Sequence, residues 1–260
     1  MKISHLAALV FAYTLASASA QSAFEVASVK PVDPKTQHPS DLKVYPGGRV
    51  VLRGFPLKTL ICTAFELANW QLSGGEPWVE NDKYDIEAKP PESVQPTIQN
   101  LRYTWWEIDD PRLREMLKAL LIDRFQLKVH RETKTGEVYV LEKSGKPLKL
   151  RPVEARPKPP ADGFSGEVEF TGGQWFLFNT SMPQLARFAG TTVLHAPVLD
   201  RTGLTGAFDY KEPSADEDLH NSPFADNFKR LIPLLGLKLE RTTGPVETFI
   251  IDHAEKPSAN

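Results

Sequence analysis

The chain carries one segment plan twice, and this constrains its architecture more than any other feature. Val44-Tyr45-Pro46-Gly47-Gly48-Arg49-Val50-Val51-Leu52 returns as Glu169-Phe170-Thr171-Gly172-Gly173-Gln174-Trp175-Phe176-Leu177. Leu127-Lys128-Val129-His130-Arg131-Glu132-Thr133 returns as Leu237-Lys238-Leu239-Glu240-Arg241-Thr242-Thr243, and the match runs on without a gap to Lys146-Pro147 and Lys256-Pro257. A duplication implies two similar packing units. It also sorts functional candidates, because a residue present in both copies serves folding more often than chemistry.

Each copy reads approximately β-β-α-β-α-β-β. Paired glycines at 47–48 and 172–173 supply the positive φ angles of tight hairpins. Leu57, Leu60, Ile61, Ala64 and Ala68 recur at helical spacing behind Pro56. Asp110 and Pro111 open a second helix carrying Leu113, Met116, Leu117, Leu120 and Leu121. In the second copy Ser181 and Gln184 form a capping-box pattern, and Phe224 to Leu235 is a helix that Pro233 must end or bend. The strand readings are 24–29, 84–88, 125–132 and 137–142 in the first copy, with 237–241 and 247–252 closing the second. The expected class is α+β, as two tandem pseudo-repeats with mainly antiparallel sheet.

The expected boundaries are a signal peptide over 1–20, a first repeat over 21–150, a Pro-rich linker over 151–162 and a second repeat over 163–260. Lys2, the apolar run Leu6 to Leu15 and the small residues Ala18-Ser19-Ala20 have the form of a cleaved secretory signal. Export follows as an expectation, to the periplasm or the medium. No apolar run is long enough for a stable membrane span. A net charge of −2 leaves no basic excess to neutralise phosphates, which argues against nucleic acid as a partner. The single cysteine, Cys62, excludes an intrachain disulfide, so the core alone must hold the fold.

There is no zinc-protease helix motif, no paired C-x-x-C, no nucleophile elbow and no phosphate-cradling glycine loop. No cofactor and no metal are expected. The weak catalytic candidates are His130 with Glu132, two apart on one strand face, and the run Asp252-His253-Ala254-Glu255. A solvated or ion-paired strand face is the favoured reading of the first, and a polar surface cluster that of the second. His195 and His220 are isolated in loops. Arg131 with Arg241, Glu137 with Glu247, and Asp85 with Asp209 occur in both copies, which suits structural ion pairs and turn contacts.

The first copy holds about fifteen extra residues between its middle strand and second helix, and insertions of this kind often carry function. They include Tyr103, Trp105 and Trp106, the candidate ligand-binding residues. Trp70, Trp78 and Tyr84 add to this aromatic content. Aromatics can stack on sugar rings or anchor a protein, so a glycan or an envelope protein is a conceivable partner.

Phe24-Glu25-Val26-Ala27-Ser28-Val29-Lys30-Pro31, Gly74-Gly75-Glu76-Pro77-Trp78, Tyr84-Asp85-Ile86-Glu87-Ala88-Lys89, Asp123-Arg124-Phe125-Gln126-Leu127 with His130-Arg131-Glu132, Asp200-Arg201-Thr202-Gly203-Leu204-Thr205-Gly206 and Ile251-Asp252-His253-Ala254-Glu255-Lys256-Pro257-Ser258 form one ordered set. Together they resemble the soil-associated protein family of acidobacteria, an exported domain of unknown function. The resemblance implies export and a stand-alone domain, and carries no activity. The sequence supports an exported, non-catalytic binding or interaction module, with a hydrolase of envelope or extracellular polymers as the alternative.

Overall fold

The computed structural model describes residues 23–33, 35, 39–45, 48–95, 103–104, 107–108, 110–154, 168–213 and 223–257. The N-terminal half runs β1 (Val26–Pro31), β2 (Asp41–Val44), β3 (Val50–Pro56), α1 (Leu57–Phe65), β4 (Leu72–Gly74), α2 (Trp78–Asn81), β5 (Lys83–Lys89), β6 (Tyr103–Thr104), β7 (Glu107–Ile108), α3 (Pro111–Phe125) and β8 (Lys128–Lys143). The C-terminal half runs β9 (Arg151–Val153), β10 (Val168–Thr171), β11 (Gln174–Thr180), α4 (Met182–Phe188), β12 (Val198–Asp200), β13 (Ala207–Lys211), α5 (Phe224–Leu234) and β14 (Leu237–His253). The class is α+β with mainly antiparallel sheet, as expected. No helix among the described residues is long and apolar enough to cross a membrane.

Two outer sheets have the same strand order. One is β1-β5-β3-β2, and the other, read from its opposite edge, is β9-β13-β11-β10. The likeness extends to single bonds. A bulge interrupts the β3–β5 ladder between Leu52 and Phe55, and the β11–β13 ladder between Leu177 and Thr180. At each bulge the backbone turns left-handed, at Gly54 (φ 67) and Asn179 (φ 47), residue types that tolerate this conformation. The freed N–H of each donates to a carboxylate, Gly54 to Asp85 and Asn179 to Asp209, both at 2.9 Å. The matched aspartates are turn contacts.

Three sequence readings are corrected. The closing strands read as 125–132 and 137–142 are one strand, β8, and Phe125 ends α3 instead. The pair read as 237–241 and 247–252 is likewise one strand, β14. Gly136 and Gly244, which fall in the gaps between the strands as read, face each other mid-ladder, where glycine relieves crowding: a Cβ on Gly136 would meet Val246 at 2.9 Å. Third, residues 151–153, read as the start of the linker, form β9 and pair with β13. Pro152 is tolerated there because β9 is an edge strand.

The two long strands join the halves. β8 and β14 pair antiparallel from Leu237↔Lys143 to His253↔Lys128. β12 adds to β8 in parallel and β4 adds to β14 in parallel, completing the sheet β12-β8-β14-β4. Each core therefore borrows from the other half. Ile251 belongs to the N-terminal core around Tyr84, Phe125 and Met116, whereas Leu141 belongs to the C-terminal core around Trp175, Phe228 and Leu231. Cross-strand ion pairs fasten the ribbon, Arg131 to Glu247 at 3.1 Å and Arg241 to Glu137. These are the charges at matching positions of the two aligned segments.

Candidate functional site

A shallow groove of about 550 Å³ beside β12 draws on both halves. One wall is Pro197 to Arg201, the edge strand and its flanks. The other is Pro183, Ala186, Arg187, Gly190 and Thr191, which recur at the three- and four-residue spacing of one helix face. Ser181 caps α4 through a capping box with Gln184. The helix continues as a π-helical segment over Ala189–Leu194 and stops where His195 turns left-handed (φ 51). Such wide turns recur at functional sites.

The N-terminal half contributes two residues to the lining, Trp70 and Gln71. Trp70 lies in a short 3-10 turn, Asn69–Gln71, and donates its indole N–H to Gly190 O at 3.1 Å. Gln71 donates Nε2 to Glu247 O at 3.3 Å and accepts the Ala68 N–H at 3.0 Å through Oε1. Both side chains are thereby oriented. Gly190 has no room for a side chain, since a Cβ would lie 2.7 Å from Ala196 O.

The histidine candidates assemble differently from their sequence grouping. His130 does not pair with Glu132. Its Nδ1 lies 2.8 and 2.9 Å from the two carboxylate oxygens of Asp252 on the neighbouring strand. A bulge between Ile251 and His253 accompanies this approach. Glu132 pairs with Lys134 at 2.8 Å, and His253 Nε2 lies 3.0 Å from Glu255 Oε1. The His130–Asp252 contact engages one ring nitrogen, and both side chains are about half exposed, at 53% and 46%. Neither lines the groove. No group of three or more His, Cys, Asp or Glu side chains is placed to hold a metal among the described residues.

Other candidates divide clearly. Tyr84 is buried edge-on against Phe125 at 5.0 Å, and burial pushes its hydroxyl up to about 12. Burial likewise pushes the Cys62 thiol up to about 12, so it stays protonated and inert. Trp78 lies under Lys256, 5.7 Å from the ring centre. His195 is exposed at the end of the π-helical segment. Tyr103 begins the two-residue strand β6, and its side chain, like Trp105, Trp106 and His220, lies outside the described residues.

A family profile described as "Protein of unknown function (DUF3738)" matches residues 58–254, well over half of the chain. The chain belongs to the DUF3738 family. No curated protein and no solved structure matches it. The DUF3738 region contains the whole groove and the His130–Asp252 pair, and ends just before Glu255.

Reading the sequence missed this groove. β12 and β4 are three residues long, too short for alternation to register. One signal was available. With Leu52 matched to Leu177, the small residues Ala186 and Gly190 stand where α1 carries Ile61 and Phe65. Two large-to-small differences on one helix face mark a place where the two halves pack differently.

Proposed function

We propose that this protein is an exported, non-catalytic binding module and that the groove between β12 and the α4 helix face is its binding site. The observation that carries the reading is the construction of the groove. Its walls come from the C-terminal half, the oriented Trp70 and Gln71 of the other half complete its lining, and its volume suits a ligand of a few residues or rings. The signal-like first twenty residues support export, and the soil-associated resemblance agrees with it. The shared sheet order and matched aspartate contacts support an origin by internal duplication. Tyr103, Trp105 and Trp106, from the sequence alone, are the second candidates for engaging a glycan or an envelope protein.

The test is a thermal-shift series on residues 21–260 with cell-wall fragments, oligosaccharides and peptides. A ligand at a hundred times its Kd adds about 2.7 kcal/mol, a rise of roughly 5–10 °C for a chain of this size. A rise abolished by Thr191→Trp, which fills the groove, is the expected result. A rise that survives it but disappears in the Trp105→Ala, Trp106→Ala variant would move the site to the insertion. The alternative, a hydrolase of envelope polymers, has the His130–Asp252 pair in its favour. It would displace the binding reading if polymer hydrolysis were detected and lost in His130→Ala.

A further inference from the structure

We infer that the groove takes a neutral oligosaccharide, with one sugar ring laid against Trp70 and hydroxyls bonded by Asp200 and Arg201. This rests on the binding reading above and names the ligand class.

Backbone pairing is excluded first. On one side β12 bonds to β8, through Tyr139 N to Pro197 O at 2.8 Å and Arg201 N to Leu141 O at 2.9 Å. On the other side the π-helical segment packs against it. A Cβ on Gly190 would lie 2.7 Å from Ala196 O and 3.5 Å from Val198 N. No further strand fits there, so side chains must hold the ligand.

Those side chains form an apolar floor and a polar rim. Ala186, Gly190 and Ala196 are buried, with Trp70 and Pro197 half-buried beside them. Thr191 and Arg201 are exposed, and Asp200 is half-buried. A pyranose ring divides in the same way, with C–H groups on its faces and hydroxyls around its edge. Trp70 is already ordered to receive such a face. Its indole N–H is held on Gly190 O at 3.1 Å, so little freedom is lost on binding.

The rim decides the charge of the ligand. Asp200 Oδ1 accepts Thr202 N at 2.9 Å and Thr202 Oγ1 at 2.8 Å, and Oδ2 has no partner among the described residues. The Arg201 guanidinium likewise has none, whereas Arg187 on the helix wall is already engaged. Thr191 Oγ1 donates its proton to Arg187 O at 2.9 Å and keeps its lone pairs for accepting. An anionic ligand would meet the Asp200 carboxylate, and a cationic one the Arg201 guanidinium. A hydroxyl donates to the first and accepts from the second, so a neutral polyhydroxy ligand satisfies both.

The experiment is calorimetry of residues 21–260 with cellohexaose, xylohexaose and chitohexaose. Wild type is compared with Trp70→Leu, Thr191→Trp, Asp200→Asn and Arg201→Ala. Trp70→Leu keeps apolar bulk and removes the aromatic face. Asp200→Asn keeps the Oδ1 acceptor of the turn, and Arg201→Ala keeps the backbone bond to Leu141 O, so these two test the rim without touching the core. At least one hexaose should bind wild type. Each rim variant should raise Kd about ten-fold with little change in melting midpoint, as expected for one lost bond to a charged group. Trp70→Leu and Thr191→Trp should abolish binding. A preference for chitohexaose would point to N-acetylated envelope glycans as the source, and a preference for the other two to unacetylated polymers. The inference is overturned if no hexaose binds, or if binding survives Arg201→Ala and Asp200→Asn unchanged. Suppose that no hexaose binds while a peptide binds and is lost in Thr191→Trp. The saccharide assignment then falls and the binding reading stands. If no probe of either kind is sensitive to Thr191→Trp, both fall.

Discussion

Asp110 caps α3 by accepting the Arg112 N–H at 2.8 Å and the Leu113 N–H at 3.4 Å, and it pairs with the Arg112 guanidinium at 2.9 Å. Burial alone would raise its carboxyl. The side-chain and backbone bonds from Arg112 outweigh burial and hold it below the usual carboxylate range. A lowered folded pKa gives stability that is present above the unfolded value, about 3.9, and is lost as the pH falls through the folded value. Asp110→Ala should therefore cost about 1–2 kcal/mol at pH 7, and the difference from wild type should narrow in acid. Urea unfolding of both proteins at pH 7 and pH 3 measures this. A gap that stays constant with pH would refute the charged cap. His130→Ala should shift stability by no more than about 1 kcal/mol, because exposed ion pairs contribute little. A larger loss in the same assay would make that pair structural. The cap and the repeated charges were legible from local spacing and from recurrence. The His130–Asp252 pair was not, because it depends on strand register and a bulge that no local pattern encodes.

At the scale of elements, hydrophobic periodicity identified the longer helices and the outer strands. It failed where glycine has two meanings. Gly136 and Gly244 interrupt alternation as a turn would, yet both sit inside unbroken ladders. Gly236 and Gly145 separate backbone strain from crowding. Both are left-handed, at φ 83 and φ 80. A Cβ on Gly145 would meet nothing within 4 Å, whereas one on Gly236 would lie 2.6 Å from Pro147 O, a backbone atom. Gly145→Ala should cost about 1 kcal/mol from conformation alone. Gly236→Ala should cost roughly 3 kcal/mol, since the 147–148 segment must also move. Paired urea titrations decide it, and equal costs would show that this segment yields freely.

At the scale of the whole molecule, the repeated plan implied two units and left open whether they stand apart. Their interleaving rests on residues that look ordinary in sequence. Ile251 and Leu141 are two more aliphatic strand positions, but each fills the core of the opposite half. β4 and β12 have their only ladder partners among the described residues in β14 and β8, each from the other half. Cutting the chain at 150/151 removes Ile251, Phe249 and the whole of β14 from the N-terminal core, and removes β8 from β14 and β12. Each fragment keeps its outer sheet but loses every ladder of the central one, and the exposed long strand becomes an edge that invites association. Residues 21–150 and 151–260 made separately should each melt without a cooperative transition, while the intact chain melts in one step. Mixed together they should restore one shared transition, because the β8–β14 ladder is intermolecular in the nicked protein and its register is unchanged. Calorimetry of the two fragments, the mixture and the whole chain reads all four states. Independent cooperative melting of either fragment would mean that its own core suffices and that the exchange between halves is dispensable.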